Sequence, residues 1–451
     1  MNVVIIGNGI SGVTCARFIR KQSDHQITII SGETDYFFSR TALMYIYMGH
    51  MKYENTVPYE NWFWEKNRIN LKRAFVESVD TDNKTLHLDS GEKMSYDKLV
   101  LATGSKPNKF GWPGQDLDGV QGLYSYQDLQ LLEKNTQTLP KRAVIVGGGL
   151  IGIEMAEMLH SRHIPVTFLV REPSFWNNVL PKGESEMINR HIIEHGFDLR
   201  LGVNLEEIIA DDKGRAKGVK VKETGEIINC QLVGLTAGVS PNIGFIKESN
   251  IETNRGILVN RNQETNIEGV YSAGDCAEFK EPIAGRRPIE QVWYTGKIQG
   301  QVVADNICGK ASTYDPGHWF NSAKFLDIEY QTYGWVFSEL RDGETNFYWE
   351  HKDGKKCLHF VWNKDTGQFI GLNTFGIRLR HEIFDKFLRE KRDIDYVLAN
   401  LKSANFDPEF YAQHEKEIID SFNKTTGKNI TLKKQGGLKA ALAILLGIAH
   451  K

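Results

Sequence analysis

The sequence contains few cysteines, and they are widely scattered. There are five among 451 residues, namely Cys15, Cys230, Cys276, Cys308 and Cys357. None stands in a C-x-x-C or C-x-x-x-x-C pair, so no local motif for zinc or an iron–sulfur cluster is present. Free cysteines are commonly buried side chains without chemistry of their own. We therefore predict no metal site and interpret these thiols as core or incidental residues.

An excess of charge of one sign is also lacking. Lys and Arg together number 55 and Asp and Glu 57, which gives a net charge of −2. Nucleic-acid binding calls for a basic surface, so this balance gives no reason to expect it. The first predicted core strand follows Met1 at once and leaves no room for a secretory leader. We therefore expect a cytoplasmic protein.

Long hydrophobic runs are absent as well. The longest apolar run, residues 440–449, is too short to cross a bilayer as a helix. A lysine pair at 433–434 precedes it, which permits weak membrane contact through this C-terminal helix, with burial on the protein as the alternative. The composition, 41% hydrophobic and 25% charged, is that of a globular protein, and the length suits about three domains.

Two glycine-rich motifs each follow an apolar run that predicts a buried strand. The runs are residues 3–6 and 143–146. The motif glycines are Gly7, Gly9 and Gly12, and then Gly147, Gly149 and Gly152. The first glycine of each permits a tight turn, the second lets the backbone approach a pyrophosphate, and the third packs a helix on the strand. One such motif is a weak signal, but two in this context predict two bound dinucleotides.

A third motif lies at residues 265–275, where Thr-Asn-Ile-Glu-Gly-Val-Tyr-Ser-Ala-Gly-Asp ends at Asp275. It resembles the second FAD motif of the pyridine nucleotide-disulfide oxidoreductase superfamily, the flavoproteins with two dinucleotide-binding domains. Residues 96–104 and 237–242 are similar to the family's crossings between those domains. The resemblance covers roughly residues 1–310. It is to the rubredoxin/ferredoxin reductase and nitrite-reductase flavin-domain branch, which lacks a redox disulfide.

The resemblance implies an α/β fold with two Rossmann-like dinucleotide-binding domains, for FAD and NAD(P), and a C-terminal α+β interface domain. Alternating residues near 332–336 and 358–362 predict antiparallel strands in that last domain. Because the family often uses it for dimer contacts, a homodimer is one expectation. The expected boundaries are residues 1–110 and 239–312 for FAD, 111–238 for NAD(P), and 313–451 for the interface domain with a helical extension.

The resemblance also implies residues that bind FAD. Asp275 is expected at the ribityl chain. Glu33 follows the second predicted strand and is interpreted either as a ligand of the adenosine ribose or as a solvated loop carboxylate. Arg40 is expected to meet the pyrophosphate through its planar fork of donors, with an ordinary surface cation as the alternative. Val76 falls where the family contacts adenine through its backbone. The motifs at the domain crossings and before Asp275 add Thr103, Gly104, Gly238 and Gly274.

Three residues are expected at the nicotinamide dinucleotide. Glu154 matches the family's glutamate near the nicotinamide ring, with a carboxylate favoured by the helix dipole as the alternative. An acid after the next strand favours NADH and a cation favours NADPH. Here Arg171 and Glu172 supply both signs, so the preference stays open, with a slight lean to NADPH. A helix from about residue 290 is expected to aim at the flavin, where Trp293 or Tyr294 flanks the ring or packs in the core.

The resemblance implies hydride transfer from NAD(P)H to FAD, a reaction that requires no dedicated acid or base residue. We therefore predict no catalytic side chain. Since no cysteine lies between Cys15 and Cys230, a thiol relay is not expected. Electrons then leave the flavin directly, to a small redox protein of the ferredoxin or rubredoxin type or to a quinone. The alternatives are an NAD(P)H:quinone dehydrogenase at the membrane surface and a redox-sensing flavoprotein that binds NAD(P)H.

Overall fold

The computed structural model describes residues 1–410 and 412–433. The predicted apolar helix at 440–449 lies outside these residues, and so does the membrane contact inferred from it. The chain forms two compact units. The first comprises Met1–Arg171 and Phe197–Pro316, and the second comprises Glu172–Gly196 together with the described residues from Gly317 onward.

The strands of the first unit are mostly short, and many of them are buried along their whole length. In chain order they are β1 Asn2–Ile6, β2 Gln26–Ser31, β3 Ile69–Arg73, β4 Val76–Asp80, β5 Thr85–Leu88, β6 Lys93–Ser95, β7 Lys98–Leu101, β8 Ser105–Pro107, β9 Val120–Gln121, β10 Ala143–Val146, β11 Val166–Val170, β12 Asp198–Leu201, β13 Leu205–Ala210, β14 Ala216–Val221, β15 Ile227–Asn229, β16 Leu232–Leu235, β17 Val239–Pro241, β18 Ile257–Val259, β19 Val270–Ser272 and β20 Ala277–Phe279.

The second unit contributes five further strands to one sheet. These are β21 Phe320–Phe325, β22 Ile328–Gly334, β23 Glu344–Glu350, β24 Cys357–Asn363 and β25 Phe369–Phe375. Helices α1 to α5 and α7 belong to the first unit, and α6 and α8 to α10 belong to the second. Their bounds are α1 Ile10–Gln22, α2 Leu43–Tyr47, α3 Asn61–Lys66, α4 Tyr126–Asn135, α5 Leu150–Ser161, α6 Lys182–Glu194, α7 Trp293–Ile307, α8 His381–Arg389, α9 Ile394–Ala399 and α10 Glu415–Thr426.

The first glycine motif follows the central strand of a parallel sheet with the order β19-β7-β1-β2-β3. Val3 and Ile5 of β1 face a core shared with α1 and α7, whereas Val4 and Ile6 face residues of the β4-β5-β6 sheet. A strand that is covered on both faces needs a continuous apolar run rather than an alternating one. This explains why residues 3–6 carry no polar side chain.

The second glycine motif follows an equivalent strand. β10 lies in the middle of the parallel sheet β12-β11-β10-β16-β9. Val144 and Val146 pack on residues of the β13-β14-β15 sheet, and α5 follows β10 directly. The two sheets therefore repeat one plan, a parallel layer covered by a helix and by a small antiparallel sheet. The α/β class predicted from the sequence is confirmed.

The second unit is built on the antiparallel sheet β21-β22-β25-β24-β23. The predicted strand near 332–336 overlaps the end of β22, which stops at Gly334, and the predicted strand near 358–362 falls within β24. One face of the sheet packs on α8, α9 and α10 through a core that includes Phe360, Phe384 and Phe422. Among the described residues, the region around 382–425 forms α8, α9, a short 3-10 helix at Leu401–Ala404 and α10 rather than one continuous helix.

Two further observations bear on the sequence predictions. The helix expected from about residue 290 begins at Trp293, after an extended Val292. Among residues 1–410 and 412–433, no helix has both the length and the apolar character that crossing a membrane requires.

Candidate functional site

The first glycine motif makes a sharp turn between β1 and α1. Gly7 has a φ of +112°, and a Cβ built on it would lie 2.1 Å from the carbonyl oxygen of Ala102. Only glycine tolerates both the backbone angle and the contact. The Gly7 amide also donates to the carbonyl of Ile30 at 2.8 Å, which fixes the turn against the end of β2.

The next two glycines of this motif differ in what surrounds them. A Cβ on Gly9 would meet nothing within 4 Å, whereas a Cβ on Gly12 would lie 2.1 Å from the carbonyl oxygen of Gly7. Gly9 is also the N-cap of α1 and supplies no side chain to cap it. The start of α1 therefore presents backbone N–H groups beside open space, the arrangement that binds a phosphate.

The second glycine motif has the same geometry. Gly147 has a φ of +126°, and its Cβ would lie 2.7 Å from the carbonyl oxygen of Thr236. A Cβ on Gly152 would lie 2.9 Å from the carbonyl oxygen of Gly147, whereas one on Gly149 would meet nothing within 4 Å. The first unit thus contains two open cradles of backbone N–H groups, each at the N-terminus of a helix that follows a central parallel strand.

Glu33 and Arg40 form a two-pronged ion pair beside the first cradle. Arg40 Nη1 donates to Glu33 Oε1 at 2.7 Å, and Nη2 donates to Oε2 at 2.5 Å. The Tyr126 amide donates to the same carboxylate at 2.9 Å. Burial opposes the charge of Arg40, but the ion pair outweighs it, and the pKa of Arg40 lies above its usual value. These two residues, predicted separately, therefore form one charged group.

Tyr124 connects this pair to Asp275. Its carbonyl accepts from Arg40 Nη1 at 2.7 Å, and its hydroxyl donates to Asp275 Oδ2 at 3.0 Å. The same hydroxyl accepts from the Ser105 amide at 2.9 Å. Burial raises the pKa of Asp275, and the Tyr124 hydrogen bond and the Arg40 charge offset only part of that rise. Burial and the Asp275 carboxylate also raise the pKa of Tyr124.

The remaining residues predicted for FAD each contact another segment of the chain. Thr103 Oγ1 donates to the Asn242 carbonyl at 2.7 Å, and the Gly274 amide donates to Gln299 Oε1 at 2.6 Å. A Cβ on Gly104 would lie 2.8 Å from the Tyr124 hydroxyl, so this glycine makes room for the tyrosine. The Gly238 carbonyl accepts from the Asn108 amide at 3.1 Å.

Val76 is placed differently from this group. It begins β4, is half-buried, and pairs with Leu88 of β5. Its contacts thus belong to the small antiparallel sheet rather than to the hydrogen bonds that connect Glu33, Arg40, Tyr124 and Asp275.

The residues predicted for the nicotinamide dinucleotide lie near the second cradle in sequence. Glu154 is half-buried in the first turns of α5. Burial, with a smaller contribution from Glu157, raises its pKa to about 7. Arg171 follows the last residue of β11 directly and is exposed, whereas Glu172 is half-buried.

Sequence reasoning missed Tyr124 and a second contact that involves Arg162. The Arg162 guanidinium lies 3.5 Å from the centroid of the Tyr47 ring, and its Nη2 is 2.6 Å from Glu133 Oε1. This contact joins α2 to α4 and α5. The only local signal for Tyr124 is the capping box of Ser125 and Asp128, which predicts a helix start but no partner for the tyrosine.

All five cysteines lie in the described residues and are free thiols. Cys15, on α1, is fully buried, and burial raises its pKa well above the usual value. Burial also raises the pKa of the Cys276 thiol, which follows Asp275 directly. A thiol buried in this way is a poor nucleophile because the thiolate is disfavoured.

Comparison with known proteins agrees with this architecture. A family model described as pyridine nucleotide-disulphide oxidoreductase matches residues 1–300. The chain belongs to this family. It is accordingly an oxidoreductase with the two-dinucleotide-domain flavoprotein fold, as the sequence predicted, and the cofactors of the pyridine nucleotide-disulphide oxidoreductases are FAD and NAD(P)H. The two open cradles fit such a pair of dinucleotides.

The alignments with individual relatives cover different shares of the relatives' lengths. The chain is 31% identical over 344 residues to an NADH oxidase of Methanocaldococcus jannaschii, covering 73% of this chain and 75% of that protein. It is 31% identical over 319 residues to the NADH-rubredoxin oxidoreductase of Clostridium acetobutylicum, covering 69% and 76%. It is 29% identical over 358 residues to the nitrite reductase [NAD(P)H] of Bacillus subtilis, with 78% of this chain but only 43% of that protein covered.

Solved structures support the same fold at lower identity. A ferredoxin reductase from Rhodopseudomonas palustris superposes with a TM-score of 0.76 at 23% identity, covering 93% of this chain and 100% of that one. An NAD-dependent persulfide reductase from A. fulgidus superposes with a TM-score of 0.81 at 21% identity, covering 97% and 86%.

Proposed function

We propose that the protein is an FAD-dependent NAD(P)H oxidoreductase that passes electrons to a small redox protein without a cysteine relay. The observation that carries this proposal is the pair of open cradles in one compact unit, at Gly9 and at Gly149. When bound, FAD accepts a hydride from NAD(P)H and passes the electrons on to an acceptor. In this proposal, residues 1–110 and 239–312 hold FAD and residues 111–238 hold NAD(P)H.

The chain's own residues bind and orient the first dinucleotide. The N–H groups at the start of α1 bind the pyrophosphate, and Arg40 supplies further positive charge beside them. Glu33 keeps Arg40 in place and offers carboxylate oxygen to a ribose hydroxyl. Asp275, held by the Tyr124 hydroxyl, is suited to accept a hydrogen bond from the ribityl chain. Thr103, Gly104, Gly238 and Gly274 shape the backbone around the cofactor, and Val76 is assigned to adenine.

The second dinucleotide is assigned to the α5 cradle. The amides that follow Gly147 and Gly149 bind its pyrophosphate. Glu154, with a pKa raised to about 7, holds a proton for part of the time near neutral pH and can then donate a hydrogen bond as well as accept one. Arg171 is exposed and directly follows β11, the position at which a cation contacts a 2′-phosphate, and this supports tolerance of NADPH. The assignment of Glu172 to a 2′-hydroxyl stays a prediction from the sequence, because Glu172 belongs to the second unit and α5 to the first.

The acceptor is inferred from the relatives and from the cysteines. One relative, the C. acetobutylicum enzyme, is named as a rubredoxin oxidoreductase. A second relative, from Pseudomonas putida, is named as a ferredoxin–NAD(+) reductase subunit. A buried Cys15 with a raised pKa does not favour a thiol step. Direct transfer to a rubredoxin or ferredoxin is therefore the function that these observations support best. The homodimer and the membrane contact stay predictions.

The acceptor can be tested by steady-state assays on the purified, flavin-loaded protein. Rubredoxin, ferredoxin and a water-soluble quinone would each be supplied with NADH or NADPH. We expect saturable reduction of one of the two redox proteins that is faster than reduction of the quinone. The Cys15→Ala variant should keep that rate, with flavin content as its folding control. A quinone preference, or loss of turnover in Cys15→Ala at full flavin content, would contradict the proposal.

A further inference from the structure

Helix α6 brings two histidines close to the turn between β21 and β22. His191 and His195 are four residues apart, so their side chains lie on the same side of the helix. Asp327 occupies the turn between Phe325, which ends β21, and Ile328, which begins β22. All three residues belong to the second unit. Neither the glycine motifs nor the proposed electron transfer uses them.

One atom of each side chain lies close to the same point. His191 Nε2 is 2.7 Å from Asp327 Oδ1, and His195 Nε2 is 3.3 Å from the same oxygen. The three atoms all lie within 4.8 Å of one another. Two imidazole nitrogens and one carboxylate oxygen are a common set of zinc ligands.

A hydrogen bond to the backbone determines which ring nitrogen of His195 carries the proton. Its Nδ1 lies 2.9 Å from the carbonyl oxygen of His191. A carbonyl only accepts, so Nδ1 carries the proton. The lone pair of Nε2 then faces the Asp327 carboxylate. The two repel each other unless a second proton or a cation lies between them. A carbonyl that fixes the tautomer in this way is the usual outer contact of a metal-bound histidine.

His191 gives an independent indication. Its side chain is only 1% exposed. Neither of its ring nitrogens has a partner in hydrogen-bond geometry among the described residues, although Asp327 Oδ1 lies 2.7 Å from Nε2. The oxygen is close but off the axis of the N–H bond. The ligand atoms of one metal ion lie close together without being aligned as hydrogen bonds, because each is directed at the ion rather than at its neighbour.

We propose that His191 Nε2, His195 Nε2 and Asp327 bind a divalent transition-metal ion of the Zn²⁺ class, with solvent completing the coordination. The site would join the C-terminal end of α6 to the β21–β22 turn, so we expect the ion to stabilise the second unit. The proposed site revises the prediction of no metal site, which was based only on the spacing of the cysteines. Lys355 competes with the ion, because its Nζ lies 3.9 Å from Asp327 Oδ2.

The test is Zn²⁺ binding to the full-length, flavin-loaded protein after chelator treatment, measured by equilibrium dialysis with elemental analysis. Co²⁺ absorption would report nitrogen and oxygen coordination. We expect one tight Zn²⁺ per chain and at least about tenfold weaker binding in His195→Gln and in Asp327→Asn, since even outer contacts cost that much. Lys355→Met should bind Zn²⁺ more tightly, and Zn²⁺ should raise the melting temperature of the wild type but not of Asp327→Asn.

Two histidine variants serve as matched controls. His160→Gln changes an exposed histidine on α5, and His414→Gln removes a residue from a second group, with His351 and Glu417, that could also hold an ion. Both should keep wild-type affinity, and flavin content and metal-free melting temperature report folding. The proposal is overturned if the wild type binds no Zn²⁺ at micromolar concentration. It is equally overturned if His195→Gln and Asp327→Asn bind as the wild type does, or if His414→Gln removes the binding.

Discussion

Four residues from three segments of the sequence form one continuous hydrogen-bonded group beside the first cradle. Glu33 binds Arg40, Arg40 reaches the Tyr124 carbonyl, and the Tyr124 hydroxyl holds Asp275. Each polar atom in such a partly buried group needs its hydrogen-bond partner. Without the partner, the atom would have lost its contact with water on folding and gained no hydrogen bond in return. The group therefore orients the charged residues before any cofactor arrives.

The first prediction concerns Arg40. Arg40→Ala removes a charge proposed to lie beside the pyrophosphate and leaves Glu33 half-buried without its cation. Hydrogen bonds to charged groups contribute about 1.5–3 kcal/mol, so the Kd for FAD should rise by about 10- to 100-fold. Flavin fluorescence on release measures this. Arg68→Ala, which breaks an exposed ion pair with Asp24, should leave the Kd unchanged; equal Kd values for both variants would refute the role of Arg40.

The second prediction concerns the Tyr124 hydroxyl. Tyr124→Phe deprives the Ser105 amide of its acceptor and Asp275 of a donor. We expect a loss of about 1–3 kcal/mol in the free energy of unfolding, measured by urea denaturation.

Tyr96→Phe is the matched control for this substitution. The Tyr96 hydroxyl is buried but has no hydrogen-bond partner among the described residues. Its removal should be neutral or slightly stabilising. If Tyr124→Phe is as mild as Tyr96→Phe, the hydroxyl does not hold Asp275 as described.

The third prediction is a pH dependence that originates at Glu154. Its pKa rises from 4.5 to about 7 on folding, so between these values the folded protein binds more protons than the unfolded chain. The free energy of unfolding should therefore fall as the pH rises through this window, by at most about 1.4 kcal/mol per pH unit from this group.

Glu154→Gln should remove that part of the slope in urea denaturation measured from pH 4.5 to 7. Glu65→Gln, an exposed glutamate on α3, should keep the wild-type slope. Identical slopes in the wild type and Glu154→Gln would mean that burial does not shift this carboxyl as the structure indicates.

At the scale of elements, α1 and α7 pack unusually closely. A Cβ on Gly300 would lie 2.3 Å from the carbonyl oxygen of Ser11, and one on Gly296 would lie 2.7 Å from the Ser11 hydroxyl oxygen. Both glycines face the first turn of α1, which presents the N–H groups of the first cradle. The position of that helix start therefore depends on the absence of a side chain at Gly296 and Gly300.

The fourth prediction follows from this packing. In Gly300→Ala the methyl group would meet backbone, which cannot rotate away, so α1 and α7 must separate. We expect a loss of about 1–3 kcal/mol in stability, as for other overpacked cores, together with weaker FAD retention. Gly244→Ala adds the same methyl where nothing lies within 4 Å and should be neutral. Retention of FAD at wild-type stability in Gly300→Ala would contradict the proposed dependence on close packing.

The sequence allows some of these elements to be predicted better than others. The strands before Gly7 and Gly147 are continuous apolar runs followed by a turn that only glycine permits, so local sterics determine them. The ion pair of Glu33 with Arg40 and the contact of Tyr124 with Asp275 join separate segments. No local pattern encodes such pairings, which is why the residues were predicted singly or missed.

The same limit explains the histidine site. His191 and His195 have a ligand-like spacing on one helix, but Asp327 comes from a turn more than one hundred residues later. Cysteine spacing alone gave a prediction of no metal site, because the third ligand becomes visible only when the chain is folded.

At the scale of the whole molecule, the central claim is that two dinucleotides bind to one chain and exchange a hydride. Within the first unit, the contact of Arg162 with Tyr47 and Glu133 joins α2 to α4 and α5, and so connects the elements around the two cradles. A fixed arrangement of this kind is what hydride transfer needs, since the reacting atoms must be held close together.

The most direct test is anaerobic stopped-flow mixing of the purified yellow protein with NADH and, separately, with NADPH, while the flavin absorbance is followed. The account predicts rapid bleaching of the flavin with at least one of the two nucleotides, in a saturable reaction. A flavin that stays oxidised with both nucleotides, or that shows only a slow charge-transfer band, would contradict the oxidoreductase account and favour a redox-sensing role.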